Sequence, residues 1–480
     1  MVPENLRFGG GAADSVISPF VVVWLLLAIV LIVVLPRRTA IMPFLIAFFT
    51  IPIGEVVVVG GIHLTALRIL ILVVLARRLT FSRRDKYPGG INGIDWVVIL
   101  WSVYAVVAFF LEFPGTAALI QGLGVLLDTL GGYLAVRSLI PDGEAMQRTI
   151  KSMAIVCVIL GACMINEQIN HINLFGYMGG ISKIPVVRDG RLRAGATLGC
   201  IPAGAFSGVL IPLFVWLWKQ RNSRVAALAG LAGATAMVFT SSSSTSWMAF
   251  MGSLLGLAAW PLRKQMRWIR WGFVMALAGL QLVMKAPVWA LIARVDLTGS
   301  SSGYQRYQLV DMTIKHFSLW WLIGTPDYVN WGWDSWDLCN QFAAVALTGG
   351  LLALISYIAI FKRGFAAIGN ARKWVSGDRP QEWLLWCFGS SLFATVVAQF
   401  GINYMAQLIM GFFPLVACIS VATFEARQAT TQAVESPSRM QFAWAPFVAE
   451  TDPAIPEAKP LVQKDAFKGR GQRFIPWLKS

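Results

Sequence analysis

Apolar runs near 20 residues recur along almost the whole chain, separated by short connections and interrupted by two long polar stretches. A helix of that length crosses the roughly 30 Å hydrocarbon layer of a bilayer. The pattern predicts about thirteen spans, at 18–35, 39–60, 62–76, 93–111, 117–140, 150–167, 199–218, 225–241, 246–262, 269–286, 339–361, 383–399 and 403–423. Alternating segments of about ten residues, the signature of barrel strands, are absent. The expected fold is an all-α, polytopic transmembrane helix bundle of about 12–13 spans. The first run is followed by Arg37-Arg38, the reverse of a signal peptide's order, so it is expected to be retained.

The two polar stretches cover about 168–198 and 285–338. The first carries Arg188-Asp189-Gly190-Arg191-Leu192-Arg193; the second carries Arg294, Arg306 and Trp331-Gly332-Trp333-Asp334-Ser335-Trp336-Asp337. Within the second, Gly303 to Phe317 reads as a helix with Tyr307, Val310, Ile314 and Phe317 at helical spacing. Arg306 falls within that apolar face, whereas Gln308 and Lys315 point away. An inward arginine is either paired in the interior or presented to a bound anion.

Composition agrees: 57% of the 480 residues are hydrophobic and 13% charged, against roughly 25% charged in a soluble domain. The formal charge of +16 is distributed at alternate connections. Arg37 and Arg38; Arg77 to Lys86; Lys219 to Arg224; Arg263 to Arg270; and Lys362 to Lys373 form the basic set. This is the positive-inside pattern, and it argues against a nucleic-acid partner. It sets the amino terminus outside and the carboxyl terminus in the cytoplasm, with both long loops and the connection Ser241–Ser246 outside. Residues 1–17 form an outer segment, 18–424 the bundle, and 425–480 a tail whose composition predicts disorder. The tail's basic and aromatic end is either solvated or laid on anionic lipid.

Charges within apolar runs need a partner or a purpose, because a charge at mid-bilayer costs about 3 kcal/mol. Glu55 and Arg68, with His63 between them, are expected to pair with each other, or Arg68 to line an outward anionic pocket. Asp95 and Arg137 read as a structural pair. Asp128 has no evident partner in the sequence. The six cysteines lack CxxC spacing, which argues against metal and redox motifs; Cys200 and Cys339 flank the long loops and are the one pair placed for a disulfide. Trp331, Trp333 and Trp336 form either part of an interfacial belt or flat faces for sugar rings.

These residues resemble the O-antigen ligase/polymerase superfamily of bacterial glycan-assembly enzymes across roughly 60–420. The likeness rests on Arg68 in an early span, the Arg188–Gly195 stretch opening a long span, Arg306 in a large late loop, and Trp336-Asp337-Leu338-Cys339-Asn340 leading into the Gly349-Gly350 span. The resemblance implies an inverting, metal-independent glycosyltransferase with a GT-C-like bundle in the bacterial inner membrane. Its donor would be an undecaprenyl-diphosphate-linked oligosaccharide used at the outer face. Other polysaccharide-assembly proteins are implied partners, and no cofactor is.

The residue chemistry is compatible. A diphosphate leaving group gains negative charge as the sugar–phosphate bond breaks, and planar guanidinium groups bind it bidentately. Arg191, Arg193 and Arg306 are the first candidates, followed by Arg188, Arg294 and Arg68. Ligases of the family carry His before the Asn that opens the late span; here Cys339 stands there. Asp337, Asp334, His316 and Glu167 remain as candidate bases. The family's Ser-Arg pair at a middle turn is replaced by the run Ser241–Ser246. Both departures favour a polymerase of O-antigen or exopolysaccharide repeat units over a ligase acting on lipid A-core. Three rivals remain: a transporter, a haem-handling protein using two of His63, His171 and His316 as axial ligands, and a non-enzymatic subunit of glycan export. A transporter would place charge near mid-bilayer within internal repeats, whereas here it collects at the outer rim.

Overall fold

The computed structural model describes residues 16–60, 62–81, 87–294, 302–332 and 335–442, with side chains at 294, 302 and 432–442 not described. Helices α1 (Pro19–Val34), α2 (Arg37–Thr50), α3 (Ala66–Phe81), α4 (Gly93–Glu112), α5 (Thr116–Leu139), α6 (Gly143–Asn170), α7 (Cys200–Trp218), α8 (Arg224–Thr240), α9 (Ser244–Ala258) and α10 (Met266–Val283) follow in order. After α11 (Ser302–Lys315) come α12 (Gln341–Trp374), α13 (Arg379–Gln399) and α14 (Ala406–Phe442). All except α11 fall on predicted spans. Among the described residues, seven helices are long and apolar enough to cross a membrane. The protein is an all-α, multi-pass membrane bundle.

Contacts between helix ends sort into the two groups that the charge pattern predicts. At the basic end, Arg38 meets Asp142 at 2.6 Å and Glu144 at 3.0 Å, and Glu425 accepts from the Gly143 N–H. At the opposite end, Glu55 accepts from the Ser18 N–H, and Gln168 donates to the Thr240 carbonyl.

The early spans need correction. Helix α2 has 14 residues, about 21 Å, and the chain then forms an antiparallel hairpin of β1 (Val56–Val59) and β2 (Ile62–Thr65). The run Val56–Val59 satisfies any hydropathy window, yet β-branched side chains favour strand. Gly60, with φ of 58°, supplies the turn. The spans predicted at 39–60 and 62–76 are therefore helices 37–50 and 66–81 joined by this hairpin.

The expected pair of Glu55 with Arg68 is also corrected. Arg68 is bound to Asp128, with Nε to Oδ1 at 3.0 Å and Nη2 to Oδ2 at 2.7 Å. Asp128 lies in the π-helical turn Leu127–Gly131 within α5, and Gly124 on the same helix abuts the guanidinium. Asp95 and Arg137 meet as predicted, at 3.5 Å. Tyr133 also donates to Asp95, and Arg137 reaches the Pro88 carbonyl at 2.9 Å. Helix α14 continues to Phe442, past the boundary at 424 where the sequence predicts disorder; residues 443–480 lie outside the described set.

The late loop is fastened to a break in α12. Gly350 adopts φ 73° and ψ −173°, which interrupts the helical hydrogen bonds. The freed groups are met by the crossing segment Trp321–Thr325: Leu351 N–H donates to Trp321 O and Thr325 N–H to Leu347 O, each at 2.8 Å. Tyr104 holds the segment from the other side through Leu322 O at 2.6 Å. A Cβ at Gly324 or at Gly350 would collide with the facing backbone, so both glycines are required by the close approach. Leu309, Trp320, Ala343, Ala346 and Leu347 pack into a small apolar cluster beneath the loop.

Candidate functional site

The stretch 186–193 forms a two-stranded ribbon, β3 (Val186–Arg188) and β4 (Arg191–Arg193). Its turn residues Asp189 and Gly190 have φ of 53° and 73°, the left-handed pair for which Asp-Gly is favoured in two-residue hairpins. Arg188 lies directly opposite Arg191, and strand alternation puts Arg193 on the same face. Like charges on one face repel each other, and the Asp189 carboxylate, 3.8 Å from Arg188 Nε, offsets part of that repulsion. Arg188 and Arg191 are exposed, whereas Arg193 at the root is buried.

The root of the ribbon is held firmly. Glu167 accepts from the Gly195 and Ala196 N–H groups, at 2.8 and 2.7 Å. Gln168 donates to Leu192 O at 3.1 Å and to Thr240 O at 2.8 Å. Ala194 N–H donates to Thr240 O, and Ser242 Oγ to Leu192 O. Ala196 and Ser242, with φ of 48° and 46°, are non-glycine residues held in the left-handed region, a strain worth on the order of 1–3 kcal/mol each.

The ribbon is thus tied to the stretch Ser241–Ser246, which covers the turn after α8 and the first residues of α9. Most of that stretch is buried, and Ser241 Oγ donates to Ser246 Oγ at 2.8 Å. The second long loop reaches the same stretch. Arg306 on α11 is 4% exposed and donates from Nη2 to Thr245 Oγ1 at 3.0 Å. Thr245 in turn donates to Gly401 O, in the connection between α13 and α14. A guanidinium there stands at the N-terminal first turn of α9, the positive end of the helix macrodipole. Arg193 is 9% exposed, and among the described residues its buried Nε has no hydrogen-bond partner.

Beside Arg306 lies the opening of α12. Asn340 caps that helix by accepting from Phe342 and Ala343 N–H groups, and reaches Phe400 O at 3.5 Å. Burial pushes the Cys339 thiol up to about 11, with the Asp337 carboxylate adding to the rise and the Arg306 guanidinium opposing it. The thiol therefore keeps its proton near neutrality and is no general base. Asp337 is exposed, and its Oδ2 lies 3.5 Å from Gln305 Nε2, on the residue preceding Arg306.

Other candidates are placed elsewhere. Glu167, expected as a possible base, has both oxygens engaged with backbone N–H groups and serves as the anchor of the ribbon. Arg68, expected to bind diphosphate, is held bidentately by Asp128. His316 stacks on Trp331 at 4.3 Å, and its Nδ1 lies 3.0 Å from Met312 O. Trp336 is 65% exposed. Trp333 and Asp334 lie outside the described residues, as does the side chain of Arg294. Cys200 and Cys339 are free thiols, so the disulfide considered for them is not formed.

Sequence reading missed the roles of Thr245, Gln168 and the serine turn. The available signal was a run of seven hydroxyl residues, Thr240 to Ser246, between two apolar segments, a composition that bonds locally to backbone.

No family model matches the chain, and no curated protein is similar to it in sequence.

Proposed function

We propose that the protein polymerises undecaprenyl-diphosphate-linked oligosaccharide repeat units at the outer face of the bacterial inner membrane. The observation that carries this reading is that both long loops converge on residues 240–246: Arg306 bonds Thr245, and the residues on either side of the buried Arg193, Leu192 and Ala194, bond Ser242 and Thr240. A buried guanidinium contributed by each loop at this convergence, with Arg193 Nε unsatisfied among the described residues, suits a diphosphate. Arg188 and Arg191 on the same ribbon face extend it outward toward solvent.

In the proposed reaction an acceptor hydroxyl attacks the anomeric carbon of the donor from the side opposite the diphosphate. The new glycosidic bond forms as the sugar–phosphate bond breaks, with inversion. The electron pair leaves on the diphosphate, where Arg193 and Arg306 stabilise it. The hydroxyl proton passes to the carboxylate of Asp337, which faces Gln305, the neighbour of Arg306. Trp336, exposed beside it, offers a flat face to a sugar ring.

The reading is tested by the length distribution of surface or secreted glycan in cells carrying Arg193→Ala or Arg306→Ala, with membrane levels of each variant measured. Single repeat units with no long chains support polymerisation. Full-length glycan left on its lipid carrier indicates transfer to lipid A-core instead. Normal glycan at normal protein level contradicts the assignment and favours a transporter or scaffold.

A further inference from the structure

The opposite end of the bundle holds a second concentration of cations, independent of the outer site. Lys219 follows α7, Arg263 follows α9, Arg372 ends α12, and Glu382, Trp383 and Trp386 open α13. Glu382 Oε1 receives both Arg263 Nε at 3.2 Å and Arg372 Nη2 at 2.9 Å. Lys219 Nζ lies 4.1 Å over the Trp383 ring, Arg263 4.2 Å over Trp260, and Arg372 4.9 Å over Trp386. The three indoles pack edge to face, with Trp260 4.9 Å from Trp383 and 5.8 Å from Trp386.

Two features separate this cluster from a helix staple. Two arginines share one carboxylate while a third cation, Lys219, stacks on the neighbouring Trp383, and among the described residues no other acid lies within ion-pair distance of the three. Two donors are also left over: Arg372 Nε and Trp383 Nε1 are buried with no hydrogen-bond partner among the described residues. The third indole is satisfied, since Trp386 donates to Gly256 O at 2.9 Å. A buried donor without an acceptor costs about 1–3 kcal/mol, and two beside surplus positive charge point to a missing anionic acceptor.

We propose that this cluster binds the phosphate of an anionic membrane phospholipid, with Lys219, Arg263 and Arg372 neutralising it and Trp383 Nε1 donating to a phosphate oxygen. The site lies at the bundle end carrying the basic connections, where cation and indole pairs sit at headgroup level. Four residues beyond Arg263 along the chain, Arg267, Trp268 and Trp271 line a hollow of about 400 Å³, suited to the start of an acyl chain. Helix α10, which carries that hollow, has no buried residue among those described, so its apolar side faces lipid.

The test uses the full-length protein purified in detergent and titrated with short-chain phosphatidylglycerol, short-chain phosphatidylcholine and inorganic phosphate. Wild type is expected to bind phosphatidylglycerol at least tenfold more tightly than phosphatidylcholine. Arg263→Ala or Arg372→Ala should weaken that binding at least fivefold. Trp383→Phe, which keeps the ring stack and removes one N–H, should weaken it about threefold. Glu382→Gln should tighten it, because the arginines lose their competing carboxylate; a cluster that only staples helices would give no gain. Inorganic phosphate binding as tightly as phosphatidylglycerol would support the anion site and assign it to soluble phosphate. Equal affinity for the two lipids with no phosphate binding, or unchanged phosphatidylglycerol affinity in folded Trp383→Phe and Arg372→Ala, overturns the proposal.

Discussion

Arg306 Nη2 donates to Thr245 Oγ1 across 61 residues of sequence, and this bond joins the late loop to the turn at which the early loop is also anchored. The acceptor is a hydroxyl on the first turn of a helix, where positive charge is disfavoured. An anion at that position turns an unfavourable placement into a binding site.

Thr245→Val removes the acceptor at nearly constant volume and leaves a buried guanidinium one bond short. The expected loss is about 1–3 kcal/mol of stability, read by thermal denaturation of the purified protein, together with reduced glycan polymerisation. Thr245→Ser keeps the oxygen and should retain most of both. Full stability and polymerisation in Thr245→Val would show that the hydrogen bond does not matter.

Glu167→Gln converts an acceptor of two N–H bonds into a group that turns an NH2 toward one of them. The ribbon root should loosen, and cleavage of residues 186–193 by added protease should accelerate while the helices remain protected. Protection equal to wild type would mean that Gln168 and Thr240 hold the root without the carboxylate.

Asp337→Asn should lower turnover by about 10²–10⁴-fold if this carboxylate takes the acceptor proton. Cys339→Ala should remain active, because the raised thiol value keeps that group protonated. The same shift predicts a pH effect on stability. The folded state holds the Cys339 proton more tightly than the unfolded chain does, so this contribution is complete below the ordinary thiol value. It is lost as pH rises through about 11. Wild type should lose stability across that window, and Cys339→Ala should lose less.

Gly350→Ala meets the Leu322 carbonyl and also forces a side chain into an extended, positive-φ conformation open essentially to glycine alone, at about 1–3 kcal/mol for the backbone. Thermal stability should fall, and the late loop should become protease-sensitive before the bundle unfolds. An unaffected melting curve would show that the Trp321–Thr325 crossing does not depend on this glycine.

Much of the bundle was legible because hydropathy over a span is local. Asp95 and Arg137 were also paired correctly, since both lie near the same ends of consecutive spans. Hydropathy fails at Val56–Val59, where an apolar strand and an apolar helix look alike, and the pair Gly60-Gly61 is the sequence mark of the turn. Arg68 found Asp128, 60 residues away, through a π-helical turn that no periodicity announces. The inward direction of Arg306 was read correctly, but from a displaced face. The buried face of α11 runs through Arg306, Leu309 and Thr313, whereas Ile314 and Phe317 are 47% and 46% exposed. The serine turn gave a clear compositional signal, yet its partners lie on three other connections and only the fold brings them together.

Binding of a lipid-linked donor's diphosphate by Arg193 and Arg306 is tested most directly by the affinity of the purified protein for undecaprenyl diphosphate against undecaprenyl monophosphate, in wild type, Arg193→Gln and Arg306→Gln. The expected result is preference for the diphosphate in wild type and at least tenfold weaker binding in each folded variant. Equal affinity for the two lipids, or unchanged affinity in both variants, would contradict it.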